Sequence, residues 1–256
     1  MNEPDTNVSA TALKALSVLD FVGEQRRPIT VADVATGIGA DRATAYRMLM
    51  TLVQSGYVQK AADAKHYRLT FKVLSLARHL VGEDERSRHI QSCLREISEE
   101  TGETVHYSVL DRDAAVLVYR AKGTQRVAVD FQIGDRSPLH CSSIGKVLLA
   151  FRDVRTTEAV IAGGLAKVAP NTITDADELR RSLTRIRAEG YAFDDLEFAP
   201  DMRCVALPVF ENGGEVPGGI AISGPASRFD LDKLATLRDV AIRHAAKLSR
   251  ELGGLA

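Results

Sequence analysis

The stretch that decides the fold is DRATAYRMLMTLVQSGYVQK, Asp41 to Lys60. Ala45, Met48, Leu49 and Leu52 recur at +3, +4 and +7 and predict the buried stripe of a helix. Asp41 stands where an N-cap acceptor belongs, and Ser55-Gly56 where a left-handed cap ends the helix. Positions 42, 43, 46, 47 and 50 lie on a separate strip, so the leading end keeps guanidinium groups and an aromatic ring away from the core. Side chains of that kind at a helix N-terminus need something to touch.

Upstream, ALKALSVLDFVGE predicts a first helix with Leu13, Leu16, Leu19 and Val22 on its apolar face. Thr30 predicts the cap of a short second helix, with Asp33 three residues on completing a capping box. Gly37-Ile38-Gly39 is a tight turn with one apolar plug. Downstream, YVQK and HYRL alternate around AADAK, two short strands of a hairpin. Three helices, the last two separated by a tight turn, followed by a hairpin, make a winged helix-turn-helix over residues 1–70.

Such a helix front can enter a major groove. Arg42 and Arg47 can meet phosphates or a guanine edge, Thr44 and Tyr46 phosphates or a thymine methyl, and the helix N-terminus itself favours an anion. The candidate contacts are therefore Thr30, Asp41, Arg42, Ala43, Thr44, Tyr46 and Arg47, with Lys60, Lys65 and His66 on the hairpin. Alone, the helix would read as a solvated surface; the turn, the capped second helix and the hairpin together favour double-stranded DNA. Charge agrees in sign: residues 1–80 hold ten Lys/Arg against seven Asp/Glu, although the whole chain carries −1.

At 256 residues the chain has room for two cores. No apolar run approaches the ~18 residues of a membrane span, and MNEPDTNVSA lacks the basic and apolar regions of a signal peptide, so a cytoplasmic location is expected. Three cysteines in no paired spacing argue against a disulfide framework or a zinc site, and no cofactor is expected. Residues 71–86 predict a linker helix, weakened around Gly82 to Glu85, before a second module over 87–256. There TVHYSVLD, AVLVYRA, RVAVDF, MRCVALPVF and PGGIAISGP predict strands. CSSIGKVLLAF, ELRRSLTRIRAEGY and a closing segment through Leu234, Leu237, Val240, Ile242 and Leu248 predict helices, giving an α+β sheet.

Several motifs in register give a family likeness. LKALSVLDFV, GIGADRATAYRMLMTLVQSGYV and YRLTFKVLSLA, then LHCSSIGKVLLAF, GYAFDDLEFAPDMRCVALPVF and GGIAISGPASRF, resemble the IclR-type transcriptional regulators across nearly the whole chain. One departure is Thr70, where the family usually has glycine. The resemblance implies a GAF-like effector-binding domain behind the winged domain, and a small organic or aromatic acid as effector. It carries the ligand contacts onto Asp194, Cys204, Ser223 and the Cys141, Ser142 and Ser143 backbone, where helix amides can hold a carboxylate. Cys204 reads equally as an inert buried thiol, and His106, a speculative addition, as a structural histidine. Ala221, where some relatives have a second serine, favours a larger ligand than the smallest polar ones.

The implied function is a ligand-responsive regulator acting on a (pseudo)palindromic operator as a homodimer or homotetramer, with repression the expected sense although no residue decides it. The first helix and the linker helix are the expected dimer surfaces. The alternative is a small-molecule enzyme that uses the winged domain for assembly. Against it, Gly145-Lys146 lacks the glycine and hydroxyl of a phosphate loop, and His140 beside Cys141 has no third orienting group.

Overall fold

A computed structural model describes residues 8–78, 80, 82 and 84–254, and the chain divides into two units, Met1–Gly82 and Glu83–Ala256. The linker expected over 71–86 thus includes three positions, 79, 81 and 83, outside the described residues; so do residues 1–7 of the expected winged domain.

The first unit runs α1 (Ala10–Glu24), α2 (Val31–Gly37), α3 (Arg42–Gln54), an antiparallel hairpin of β1 (Val58–Lys60) and β2 (Tyr67–Leu69), and α4 (Lys72–Ala77). Local chemistry sets each start. Thr30 Oγ1 accepts from the Asp33 amide while the Asp33 carboxylate accepts from the Thr30 amide, closing the capping box. Asp41 Oδ1 accepts from the Thr44 amide at 2.9 Å. Ile29 bridges to Tyr67, which ties the hairpin to the entrance of α2. The core is Val18, Val22, Ile29, Val34, Ala45, Met48, Leu49, Leu52, Val58 and Tyr67.

Two expectations for this unit need correcting or explaining. Leu13 and Leu16 are half exposed, and α1 buries Val18 and Val22 instead. Steps of three residues rotate by about 60° from a single face of a 3.6-residue helix, whereas the i, i+4 pair stays on it. Thr70, the departure from the family pattern, donates its hydroxyl to the Gly56 carbonyl (2.6 Å) and accepts from the Lys72 amide, joining the end of α3 to the start of α4.

The second unit contains α5 (Glu85–Thr101), β3 (Thr104–Asp111), β4 (Ala114–Ala121), β5 (Arg136–Pro138), α6 (Ser143–Ala150), α7 (Val154–Ala162), α8 (Ala176–Glu189), β6 (Ala192–Asp195), β7 (Met202–Val209), β8 (Gly218–Pro225) and α9 (Leu231–Glu251). Its six strands form one antiparallel sheet in the order β5-β4-β3-β8-β7-β6. Helices α6 and α8 pack on the face carrying Ala192, Ala206 and Ala221, while α5 and α9 pack together and against the sheet. Every residue of α6 is buried, the polar Ser143 and Lys146 included, so the helix is covered on all sides. Gly145 permits this: a Cβ there would lie 2.4 Å from the Pro138 carbonyl oxygen.

RVAVDF, residues 126–131, is not a strand; the place beside β4 is taken by Arg136–Pro138. Its alternation has no face to bury, with Val127 66% exposed, and Arg120 Nη1 holds it by the Phe131 carbonyl. In α9 the buried positions include Ala241 and Ala245, while Ile242, expected inward, is exposed. α7 and β6 were not anticipated: α7 buries no residue fully, and four residues are too few to show a period.

Candidate functional site

On the first unit, Arg42, Ala43, Tyr46 and Arg47 form one exposed strip of α3, opposite its buried Ala45, Met48, Leu49 and Leu52. Tyr46 is 47% exposed, which removes it from the core. The side chains of Arg42 and Arg47 make no ion pair or hydrogen bond among the described residues, so both guanidiniums present their full donor forks. Thr30 and Asp41 serve as caps, and Thr44 donates its hydroxyl to Asp41 Oδ2 at 2.7 Å; these three shape the surface rather than project from it.

On the hairpin, Lys60 and Lys65 are exposed. His66 is held by the Asp63 carboxylate, which also accepts the Lys65 and His66 amides. Those hydrogen bonds hold the Asp63 carboxyl down at about 2, so it stays ionised and offsets part of the wing's positive charge. Lys14 was missed from sequence: with Thr11 it lines a cavity of about 470 Å³ shared with Thr44, Tyr46 and Arg47. Only the packing of α1 on α3 brings it there.

On the second unit, the sheet register assembles the other candidates. Asp194 pairs with Cys204, Cys204 with Ser223, and Ser223 with Thr104, so these four occupy one transverse row on the α6 face. In the next row Ala192, Ala206, Ala221 and His106 lie side by side. Cys204 Sγ is 3.0 Å from Ser223 Oγ and also meets the Ser143 hydroxyl at the start of α6. Ser142 caps that helix, accepting from the Gly145 amide at 3.0 Å and donating to the Pro138 carbonyl at 2.7 Å. Cys141, Ser142, Ser143, Asp194, Cys204, Ser223 and His106 are all buried, and the structure brings them together.

The electrostatics of this row are set by burial. Asp194 is wholly enclosed; its Oδ1 accepts from the Glu197 and Phe198 amides at 2.8 and 3.3 Å, while Oδ2 has no partner. Desolvation lifts its carboxyl to about 7 against the hydrogen bonds from the Glu197 and Phe198 amides and the charge of Lys146, while the Glu197 carboxylate adds to the rise. His106, with Nδ1 unpartnered, is pulled down to about 4 by burial and by Arg120 and is therefore neutral. Its ring meets Phe131 edge-on at 5.5 Å, and Phe131 lies 6.1 Å from Phe198, an aromatic wall not foreseen from sequence. Lys146 and Glu197, 51 residues apart, form a buried ion pair with Nζ 2.6 Å from Oε2. That pair lies at a cleft of about 810 Å³ between α8 and β6, separate from the enclosed row.

Nucleophilic chemistry finds no support here. Burial pushes the Cys141 thiol up to about 12, so it carries essentially no thiolate at neutral pH. His140 points its Nε2 at the Ala166 carbonyl, 3.0 Å away. No group of three or more metal-ligating side chains occurs among the described residues, and no helix among them is long and apolar enough to cross a membrane.

The architecture is that of a two-domain regulator: a winged helix-turn-helix with an exposed basic helix front, and an α+β domain that encloses a polar row. Residues 11–62 match the IclR helix-turn-helix domain, and residues 85–250 the bacterial transcriptional regulator IclR C-terminal domain. The chain is 32% identical over 254 residues to the HTH-type transcriptional regulator KdgR of Escherichia coli K12, covering 98% of this chain and 95% of that protein. It is 27% identical over 255 residues to the transcriptional repressor IclR of the same organism, covering 98% and 93%. The crystal structure of the Thermotoga maritima IclR superposes with a TM-score of 0.74 at 29% identity, over 95% of this chain and 98% of that one. The chain belongs to the IclR family of bacterial transcriptional regulators.

Proposed function

We propose that this regulator is a repressor that binds a (pseudo)palindromic operator as a homodimer or homotetramer in the cytoplasm, and that a small organic or aromatic acid alters its affinity for the operator. The observation that carries the reading is the unpaired Arg42 and Arg47 on the exposed front of a capped helix beside a wing. In it, Arg42, Ala43, Tyr46 and Arg47 face the major groove, and Lys60, Lys65 and His66 lie along the flanking backbone. Thr30, Asp41 and Thr44 hold the two helix starts in position. Lys14 adds a phosphate contact from α1. One winged module reads few base pairs, so two copies multiply the phosphate contacts that supply affinity.

The effector is assigned to the row of Asp194, Cys204 and Ser223, with His106 beside it and the Cys141 to Ser143 start of α6 above it. First-turn amides of a helix lack intrahelical acceptors and suit a carboxylate. Because these residues are enclosed, a ligand must displace what covers them, and the Phe131–Phe198 wall is the nearest cover for an aromatic ligand to replace. An effector changes operator affinity only by binding the two arrangements of the protein unequally, with the coupling passing through the linker around Gly82.

The test is a gel shift on the intergenic region upstream of the protein's own gene, titrated with organic and aromatic acids. Sequence-specific retardation that an acid releases is expected. Retardation indifferent to sequence would reduce the protein to an architectural binder. Saturable turnover of a small molecule without DNA affinity would replace the reading with the enzymatic one.

A further inference from the structure

The unpartnered Asp194 Oδ2 is the most informative polar atom in the second unit. A buried carboxylate oxygen ordinarily finds a donor, and leaving one without is costly. The groups that face Asp194 from each neighbouring element supply none. From α6 comes Lys146, but its ammonium is committed to both oxygens of Glu197. From the segment after β6 comes Glu197 itself, a second carboxylate. From β7 and β8 come the Cys204 thiol, which donates to the Ser223 oxygen, and the Ser223 hydroxyl; neither bonds Oδ2. From the start of α6 comes the Cys141 thiol, which burial keeps protonated. In the neighbouring row of the sheet β3 places His106, which is neutral. No uncommitted cation stands beside Asp194 among the described residues.

A ligand carboxylate seated on the first-turn amides of α6 therefore shares a dry site with a second carboxyl group. Two such groups in contact do not both ionise; one proton is held between them. We propose that the effector binds as a carboxylate hydrogen-bonded to the protonated Asp194 side chain, so that the site selects acid anions and takes up one proton with each ligand. This rests on the effector reading of the same row given above. In the unliganded protein the Asp194 carboxyl is already brought to about 7, chiefly by burial, so most of the protein lacks the proton only above that pH. A typical ligand carboxyl, with a pKa of roughly 4, stays ionised throughout. Affinity is then flat from about pH 5.5 to about pH 7 and weakens by about tenfold per pH unit above it.

The full-length protein tests this with a panel of benzoate, 4-hydroxybenzoate, pyruvate and 2-oxobutyrate, screened by thermal shift. The strongest binder goes to titration calorimetry in phosphate and in Tris, whose ionisation enthalpies differ. About one proton should be taken up per ligand near pH 8.5 and almost none near pH 5.5. Asp194→Asn, whose amide donates at every pH, should lose the pH dependence of the binding it retains. Binding with no proton uptake near pH 8.5 would overturn the inference and leave the pocket standing. Stabilisation by none of the acids would overturn the acid-effector reading, and this inference with it. The calorimetry on the unmodified protein decides the matter even if the variant folds poorly.

Discussion

At the scale of single residues, the two halves of the molecule use charge in opposite ways. Arg42 and Arg47 are left unpaired in water, where a guanidinium is available to a partner; Asp194 and His106 are enclosed and pushed toward neutrality. Arg47→Ala is expected to weaken operator binding by about 1 to 3 kcal/mol and to relax discrimination at one base pair, measured by gel shift on operator variants. Uniform weakening with a shallower salt slope would instead make Arg47 a phosphate contact, as expected for Lys60→Ala. Asp194→Ala should blunt the effector response while leaving operator binding without effector near wild type. His106 contributes a pH dependence of stability with a definite sign. Its pKa is about 4 in the folded protein against 6.5 ordinarily, so between these values the unfolded chain binds more protons. Stability is present above pH 6.5 and is lost as pH falls toward 4; His106→Gln should flatten that slope in denaturant titrations.

At the scale of elements, the winged unit depends on how closely α1 and α2 approach. A Cβ at Gly37 would lie 2.1 Å from the Phe21 ring, so the helix ends meet only because that position has no side chain. Gly37→Ala is expected to destabilise this unit by about 1 to 3 kcal/mol through overpacking, seen as a lower melting temperature of the winged unit and weaker operator binding. Two helix starts, at Thr30 and Asp41, were legible in sequence because caps are local, each side chain accepting from an amide three residues on; Asp175 and Asp230 cap their helices in the same way but were not read as caps. The 126–131 segment was misread for the opposite reason. Alternation of apolar residues is necessary for a half-buried strand, but a neighbouring strand must exist to bond it, and that place belongs to β5.

At the scale of the whole molecule, α1 and the stretch around α4 leave apolar side chains uncovered. Leu13, Leu16, Phe71, Leu74, Leu76 and Leu80 are each more than half exposed, and α4 buries none of its residues. Exposed apolar surface of this kind is where the proposed dimer would meet. Leu16→Glu combined with Leu74→Glu should shift the protein toward monomer in sedimentation experiments and lower operator affinity by at least tenfold, since the phosphate contacts of the second copy are lost. A dimer that persists with full affinity would place the interface elsewhere.

Sequence alone determined the winged helix-turn-helix, the α+β character of the second domain and the family likeness. These rest on helix periodicity, capping residues and contiguous motifs, all of which act over a few neighbouring positions. The identity of the exposed and buried strips of α3 followed from the same periodicity. The family likeness had grouped Asp194, Cys204 and Ser223 with the start of the CSSIGK helix; tertiary structure alone decided how these and other distant residues meet. Sheet register aligned Asp194, Cys204, Ser223 and Thr104 across four strands, the Lys146–Glu197 pair joined a helix to a loop 51 residues away, and helix packing placed Lys14 beside Arg47. Burial, a property of the packed whole, then pushed Asp194 and His106 from their ordinary charge states. No run of neighbouring residues encodes those distances, because they arise only when separate elements close on one core.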